Sequence, residues 1–338
     1  MKIGIIGCGA ITRFRHAPEC DSNPNIEIAG FFDLVMDRAQ ELVERYGGRI
    51  YSTYEDMLMD ETVDGVIVCT SNATHAEVTI KSLRAGKHVL CEKPLATIIE
   101  DGIAMDKAAK EAGKLLMIAQ NQRMDIAHVK AKEIINSGEL GKVISFKTEF
   151  SHSGPENWGV DKTKNTWFFN KNAAILGAMG DLGVHKIDLM RWMLEEEFVS
   201  ISAIVGAFDK KDSDGEPIGV DDNAICLLTT NNGIVGTVTA SWSNYGLVDN
   251  STKIYCTKGV IKIYETPQYG IEVLMKNGES IQYKLPAQPR SGIVDAFADA
   301  VVKGKESPIS AGDAVKTLKV IFAALEASKS GNRLSIEY

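Results

Sequence analysis

Residues 2–12 read Lys-Ile-Gly-Ile-Ile-Gly-Cys-Gly-Ala-Ile-Thr, an apolar run that leads directly into a glycine-rich turn. Such a run is typical of a buried parallel strand. Gly7 and Gly9 allow a sharp turn and let a pyrophosphate approach the backbone at a helix N-terminus, where free N–H groups favour negative charge. The turn therefore predicts a nucleotide-binding loop, although Thr12 replaces the third glycine of the usual fingerprint.

Asp33 strengthens this prediction, because it ends the next apolar run, residues 26–32, and follows Gly9 by 24 residues. An acidic residue near this offset hydrogen-bonds the ribose hydroxyls of NAD. A carboxylate there repels a 2′-phosphate, so the sequence favours NAD over NADP. Arg38, in a predicted helix over 36–46, is the side chain that would bind such a phosphate. The more ordinary interpretation is that Arg38 is a solvated residue on the surface of this helix.

Strand and helix patterns alternate through the first third of the chain. Further strands are predicted over 63–69, 88–91 and 115–119. Helices are predicted over 36–46, 54–59, 74–85 and 99–112. Such alternation implies parallel strands with right-handed crossovers, and therefore a doubly wound α/β sheet.

Ligands of this architecture bind beyond the carboxyl ends of the strands. Besides the glycine turn and Asp33, two further strand ends carry polar residues. They are Thr70, Ser71 and Asn72 after one strand, and Glu92 and Lys93 after the next. Lys93, a cation beside Pro94 at the end of a strong strand pattern, indicates an active site at this edge.

The pattern changes near residue 123. After a predicted helix over 125–137, β-rich runs with turn signals between them dominate as far as about residue 283. The predicted strands span 143–150, 199–208, 224–229, 234–242, 253–256, 260–264 and 270–275. We expect one large, mostly antiparallel open sheet with helices on one face and another subunit or solvent on the other.

The predicted organisation is therefore a nucleotide-binding domain over 1–122 and an α+β domain over 123–338. Closing helices are predicted over 293–302 and 314–328.

Composition limits the classes of partner. The chain has 338 residues, 44% hydrophobic and 24% charged, which suits a soluble protein with two full cores. A formal net charge of −8 without clustered Lys and Arg argues against nucleic acid. Six cysteines with no Cys-x-x-Cys pair favour buried thiols in a reducing cytoplasm. The charge-free stretch 223–248 predicts sheet, so we expect no membrane span.

A second chemical cluster lies in residues 180–188, Gly-Asp-Leu-Gly-Val-His-Lys-Ile-Asp. Asp181 and His185 are four residues apart, which places both on one face of an α-helix. A histidine oriented by a carboxylate is suited to taking a proton from an alcohol. An intrahelical ion pair or a core histidine is the ordinary alternative. No further ligands accompany the pair, so we expect no metal.

Five motifs together resemble the Gfo/Idh/MocA family of sugar and inositol oxidoreductases. They are the Gly-x-Gly-x-Ile turn, Thr-Ser-Asn-Ala-Thr-His at 70–75, Ala-Gly-Lys-His-Val-Leu-Cys-Glu-Lys-Pro-Leu at 85–95, Trp-Phe-Phe at 167–169 and Asp-Leu-Gly-Val-His at 181–185. The resemblance implies an N-terminal Rossmann domain and a C-terminal domain whose open sheet commonly builds dimers or tetramers. It also implies hydride transfer between NAD(P) and a hydroxyl carbon of a sugar, inositol or related polyol.

The resemblance also implies residue roles. Lys93 hydrogen-bonds the reacting oxygen, His185 is the acid/base, Asp181 supports it, and the Lys93–Pro94 peptide is cis. The expected cofactor contacts are Gly7, Gly9, Ala10, Ile11, Asp33, Arg38, Thr70, Ser71, Asn72, His75, Glu92 and Lys93. The expected substrate contacts are Arg123, His152, Asn157, Trp158 and Trp167; packing at the domain interface is the ordinary alternative for Trp158 and Trp167.

The chain departs from the family pattern at two places. Ser71 replaces a proline that often precedes the asparagine, and Ile175 and Leu176 stand where many members have glycines. Two other functions stay open. One is NAD-assisted glycoside hydrolysis, which would cleave a glycoside with no net change in cofactor. The other is a non-catalytic regulator that keeps the nucleotide site, which detectable oxidation of any polyol would exclude.

Overall fold

The computed structural model of the chain describes residues 1–266 and 268–338. Its first sheet has six parallel strands in the order β3-β2-β1-β4-β5-β6. The strands are β1 Lys2–Ile6, β2 Glu27–Phe32, β3 Arg49–Ile50, β4 Gly65–Val68, β5 His88–Cys91 and β6 Leu116–Ile118. This order confirms the doubly wound prediction and brings the carboxyl ends of β1, β4 and β5 side by side.

Helices connect these strands in the alternating pattern that the sequence predicted. They are α1 Ala17–Ser22, α2 Met36–Tyr46, α3 Tyr54–Met59, α4 His75–Arg84 and α5 Ile99–Ala112. Local signals explain their ends: Thr53 and Asp56 form a reciprocal capping box at the start of α3, and Gly113 ends α5 in the left-handed region. A π-helical turn, Thr12–His16, precedes α1.

The second sheet has nine strands in the order β14-β13-β12-β11-β7-β10-β9-β8-β15. They are β7 Val143–Ser151, β8 Phe198–Gly206, β9 Asn223–Thr230, β10 Val235–Ser241, β11 Thr252–Cys256, β12 Gly259–Thr266, β13 Tyr269–Met275, β14 Ser280–Tyr283 and β15 Leu334–Ser335. Among the described pairings of this second sheet, only that of β7 with β10 is parallel. The prediction of a mostly antiparallel sheet is therefore confirmed.

Burial alternates along the central strands, so one face of this sheet is a core face. In β9, Cys226 and Leu228 are fully buried, whereas Ile225 and Leu227 point outward. Helices cover the buried face: α6 Ile126–Asn136, α8 Val184–Leu194 and α10 Ala311–Ser330. A short helix, α7 Pro155–Trp158, follows β7. The opposite face carries no helix in the described part of the chain.

The C-terminal segment returns to the first sheet. Helix α9, Ile293–Val302, packs on α1 and β5, and α10 packs on α5. The amide of Ile118 donates to the carbonyl of Ile309 at an N···O distance of 3.1 Å. The proposed domain boundary after residue 122 falls inside a 3₁₀ turn, Asn121–Met124, next to this junction.

No helix among the described residues has both the length and the apolar character to cross a membrane. Over residues 1–266 and 268–338, no three His, Cys, Asp or Glu side chains gather as metal ligands. All six cysteines are buried free thiols.

Candidate active site

The glycine turn is built as the sequence predicted. Gly7 has φ +98°, and a Cβ there would lie 2.4 Å from the carbonyl oxygen of Cys69. At Gly9 no atom lies within 4 Å of the Cβ position, so its backbone is open to a ligand. Thr12, in place of the third glycine, donates its hydroxyl to the carbonyl of Gly7 at 2.6 Å and ties the turn to the following helix.

Asp33 lies directly beside this turn. Its carboxylate accepts from the amide of Cys8 at 2.6 Å and from the amide of Val35 at 2.8 Å. Each oxygen keeps a lone pair, so the fixed carboxylate fits the ribose hydroxyls of a dinucleotide. Arg38 is partly exposed, and its guanidinium donates to the exposed carboxylate of Asp161 at 2.6 Å.

Two of the predicted cofactor contacts, His75 and Asn72, have buried side chains that hydrogen-bond to the protein backbone. The His75 ring is 1% exposed and lies between the carbonyl oxygens of Pro94 (2.8 Å) and Thr70 (3.2 Å), which leaves neither ring nitrogen for a cofactor. Asn72, also buried, donates its amide to the carbonyl of Ala174 at 3.0 Å. Both side chains connect loops whose contact was not predictable from the sequence. The partly exposed residues after this strand are Thr70 and Ser71.

Glu92 likewise points inward. It is 6% exposed, one carboxylate oxygen lies 2.7 Å from Nε2 of His16, and the other accepts from the amide of Lys93 at 3.1 Å. Although burial works in the opposite direction, His16 and the nearby positive charges of Lys93 and Arg15 lower the pKa of Glu92 to about 2. Glu92 therefore fixes the end of β5 against the π-helical turn and holds the backbone of Lys93.

Lys93 reaches across to the second half of the chain. Its ammonium donates to the carbonyl of Asp181 at 2.9 Å and to the carboxylate of Asp181 at 2.7 Å. The Lys93–Pro94 peptide bond is cis. The indole of Trp242, fully buried at the end of β10, donates to the other carboxylate oxygen of Asp181 at 3.1 Å. Burial opposes ionisation, but the Lys93 charge keeps the pKa of Asp181 below its usual range.

The expectation that Asp181 orients His185 is wrong for this structure, since both carboxylate oxygens face Lys93 and Trp242. The reason is local. Asp181 lies in a π-helical turn, Met179–Gly183, whose wider spacing does not pair side chains four residues apart as an α-helix does.

His185 is 6% exposed and lines a cleft of about 910 Å³ between the two sheets. Its Nδ1 is buried and has no hydrogen-bond partner within the described residues. Burial, followed by the charges of Lys93 and Arg15, holds the pKa of His185 well below its ordinary value. The imidazole is therefore neutral near pH 7 and is able to accept a proton.

Arg123, a predicted substrate contact, is engaged with acidic residues of the protein. Its guanidinium is 6% exposed and forms two hydrogen bonds with Asp188 (2.6 and 2.7 Å) and a third with Asp313. These bonds use the Nε and Nη2 donors and make Arg123 a structural link between α8 and α10.

The other predicted substrate contacts form an aromatic wall next to Asp181. The amide of Gly154 donates to Nδ1 of His152 at 3.0 Å, so the neutral ring carries its proton on Nε2. His152 packs edge-on against Trp158, whose buried indole nitrogen has no partner in the described chain. Trp167 stacks on Phe168 at 3.9 Å and stays 37% exposed.

The loop over residues 153–176 contains the two departures from the family pattern that lie on the substrate side. The side-chain amide of Asn157 donates to the carbonyl of Ser153 at 2.8 Å and stabilises its own turn. Ile175 has φ +62°, a backbone conformation that suits glycine and that a β-branched residue rarely adopts. Leu176 is buried.

Sequence reasoning missed two residues that hold the site together, His16 and Trp242. Each had a weak signal in hindsight: His16 lies one turn after the nucleotide loop, and Trp242 ends a predicted strand. Their partners, Glu92 and Asp181, are 76 and 61 residues away, so only the fold brings them into contact.

A doubly wound sheet with this glycine turn, joined through Lys93 and Asp181 to an open mixed sheet, defines a class of two-domain dinucleotide-binding proteins. Two family models agree. The model described as an oxidoreductase family with an NAD-binding Rossmann fold matches residues 1–120, and the GFO/IDH/MocA C-terminal domain model matches residues 128–262. Together they cover about three quarters of the chain. The chain belongs to the Gfo/Idh/MocA family.

Several named proteins are similar to this chain. Glucose-6-phosphate 3-dehydrogenase of Bacillus subtilis is 32% identical over 203 residues, 60% of this chain and 56% of that protein. Levoglucosan dehydrogenase of Pseudarthrobacter phenanthrenivorans is 30% identical over 243 residues, 66% of this chain and 61% of the relative. The chain thus spans less than two thirds of the length of either relative. A solved levoglucosan dehydrogenase complex with NADH and levoglucosan shares the fold, with a TM-score of 0.88 over 100% of both chains at 24% identity.

Proposed function

We propose that this protein is an NAD-dependent oxidoreductase that moves a hydride between the nicotinamide and a hydroxyl carbon of a sugar, inositol or related polyol. The observation that carries the proposal is the position of Lys93, whose ammonium is held by Asp181 at the carboxyl edge of the first sheet and close to His185. The names of the similar dehydrogenases support the same reaction class. NAD, when bound, supplies the hydride acceptor.

Lys93 would act on the reacting oxygen. An ammonium has three protons, and two of them are used by the carbonyl and carboxylate oxygens of Asp181. The third is left for the substrate hydroxyl. As the hydride leaves the carbon, negative charge develops on that oxygen, and a fixed ammonium stabilises it without reorganisation. Asp181 and Trp242 position Lys93 for this task.

His185 would take the hydroxyl proton. The low pKa of the buried imidazole keeps it neutral and free to accept a proton near pH 7. When His185 accepts the proton, it becomes a second cation near Lys93. The negative charge on the substrate oxygen is lost as the carbonyl group of the product forms. In the reverse direction the protonated ring would return the proton to the carbonyl oxygen.

The cofactor assignment rests on Asp33 beside the glycine turn. Its fixed carboxylate fits ribose hydroxyls and disfavours a 2′-phosphate, while Arg38, the residue that would attract such a phosphate, is paired with Asp161. Both observations favour NAD over NADP.

We also propose a homodimer or homotetramer formed through the uncovered face of the nine-stranded sheet, and a cytoplasmic location. The outward side chains of Ile204, Ile225 and Leu227 support the oligomer, because a patch of this kind is typical of an interface. The six free thiols support a reducing compartment.

The first experiment measures NADH absorbance after purified protein is incubated with NAD and a panel of polyols, aldoses and glycosides, with NADP in parallel. We expect a signal with NAD that Lys93→Met and His185→Ala each reduce at least about a hundredfold, with little change in NAD affinity by calorimetry. Lys107→Met, at an exposed lysine on α5, is the matched control and should keep full activity.

Unchanged turnover in both site variants would refute the assigned roles. Cleavage of a glycoside with no net NADH would instead support NAD-assisted hydrolysis. Confirmed NAD binding with no reaction across the panel would favour a regulator.

A further inference from the structure

We infer that the physiological substrate carries an anionic group, a phosphate ester or a carboxylate, and that Arg15 binds this group. The inference rests on the proposed function and narrows its substrate class. Arg15 lies in the π-helical turn Thr12–His16, is partly buried, and lines the same cleft as His185.

Arg15 lacks the partners that satisfy other arginines around the site. Within residues 1–266 and 268–338, no carboxylate lies within 4.0 Å of its guanidinium, and no protein acceptor hydrogen-bonds it. By contrast, Arg13 in the same turn points away from the cleft, donates to the carbonyl of Cys8 at 3.1 Å and pairs with Glu41. A partly buried guanidinium without a counter-ion is costly, and a bound anion removes that cost.

Within the described chain, the acidic residues of the cleft form no ion pair with Arg15 and have other hydrogen-bond partners. Glu19 accepts from the amide (2.6 Å) and the hydroxyl (2.9 Å) of Ser291. Asp125 accepts from the first amides of α6 and from the hydroxyl of Tyr264 at 2.8 Å. Lys284, exposed on the rim of the cleft and without an ion pair among the described residues, adds a second positive charge.

The position of Arg15 also fits a substrate whose reacting carbon lies at His185. The Arg15 charge is close enough to lower the pKa of both His185 and Glu92. Asn121 and Gln122 also line this cleft, and their Oδ1 and Oε1 atoms are buried without hydrogen-bond partners in the described chain. The lining of the cleft thus combines neutral amides with two cations, Arg15 and Lys284, that suit an acidic substituent.

The test compares free sugars with their anionic derivatives. D-Glucose, D-galactose and D-mannose are each supplied as the free sugar, the 6-phosphate and the uronate, with NAD and the full-length protein. We expect kcat/KM for one anionic form to exceed that for its neutral parent at least about tenfold. Arg15→Gln should remove most of this preference through KM, whereas Arg13→Gln, an equal charge change on the same turn, should keep the ratio. The preferred derivative shows whether the anion is a phosphate or a carboxylate.

Calorimetry on the NAD-loaded protein separates this inference from the proposed function. If no sugar is oxidised, the dehydrogenase assignment fails, yet Arg15-dependent binding of a sugar phosphate or uronate still supports the inference. Three results would overturn it: neutral sugars preferred, an anionic preference that survives in Arg15→Gln, or no binding of any anionic sugar. Weaker NAD binding in Arg15→Gln with unchanged sugar preference would assign Arg15 to the cofactor instead.

Discussion

Lys186 is the immediate neighbour of His185 and is fully buried without a carboxylate partner in the described chain. Its ammonium donates to the carbonyl of Asn250 at 3.0 Å and lies 3.4 Å from the hydroxyl of Thr252. Burial lowers the pKa of Lys186 to about 7. Burial, followed by the charges of Lys93, Arg15 and Lys186 and by the nearby His128, holds the pKa of His185 well below its ordinary value.

We therefore expect Lys186→Met to raise the pKa of His185, because removal of a nearby cation makes protonation of the ring easier. The acid limb of the kcat/KM profile, where protonated His185 ceases to act as a base, should move to higher pH. Rates are measured from pH 4 upward in wild type and variant, and thermal unfolding checks that the variant is folded. An acid limb that does not move would show that Lys186 has no electrostatic role.

For single residues, the sequence predicted which side chains belong to the site but not which side chains they contact. Lys93, Asp33 and His185 lie where the motifs placed them, at strand ends and on a helix next to the cleft. Asp181 was given the wrong partner because a π-helical turn is not visible in a four-residue spacing. The partners of Arg123 were not predictable because its carboxylates are 65 and 190 residues away, and only the tertiary structure brings them together.

The π-helical turn Thr12–His16 and strand β5 are joined by the buried pair of His16 and Glu92. Glu92 has a pKa of about 2 in the folded protein and an ordinary value of 4.5. A carboxyl whose pKa is lowered on folding stabilises the protein above its unfolded pKa, and this stabilisation is lost as the pH falls through the folded pKa.

Glu92→Gln should accordingly reduce the free energy of unfolding by about 3 kcal/mol above pH 4.5, with the difference shrinking towards zero near pH 2. Urea unfolding of wild type and variant across this pH range measures the difference. A gap that is independent of pH would mean that packing, and not the charge of Glu92, accounts for the loss.

Elements with a strong local signal were predicted closely. The bounds of α2, α3 and α5 agree with the sequence because amphipathic periodicity and caps define them. Strands β14 and β15 were missed, since they have four and two residues and follow no clear alternation. Their pairing with β13 and β8 is decided by the neighbouring strand.

In the whole molecule, the nine-stranded sheet has one face covered by helices and one face open. Ile204 on β8 is paired with Ile225 on β9, and these side chains are 64% and 58% exposed. Leu227, two residues further along β9, is 54% exposed. The alternation of buried and exposed residues along each strand was predictable from the sequence. Which exposed residues form one apolar patch depends on the register between neighbouring strands.

We expect this face to be buried in a homo-oligomer, so the wild-type protein should be a dimer or tetramer by light scattering at micromolar concentration. The double variant Ile225→Lys with Leu227→Lys should weaken assembly at least about a hundredfold, because two charges would have to be buried in the interface. Ile103→Lys, at a residue that is 51% exposed on α5 of the other domain, is the matched control and should assemble normally.

NAD binding should survive in both variants, since the glycine turn and Asp33 lie in the first sheet. A monomeric wild type, or a double variant that assembles as tightly as the control, would show that this face is not the interface. If assembly is lost and NAD binding is retained, the two halves of the molecule have separate functions. The first sheet then binds the cofactor, and the open face of the second sheet joins subunits. The helix-covered side of the second sheet supplies Asp181 and His185 to the cleft.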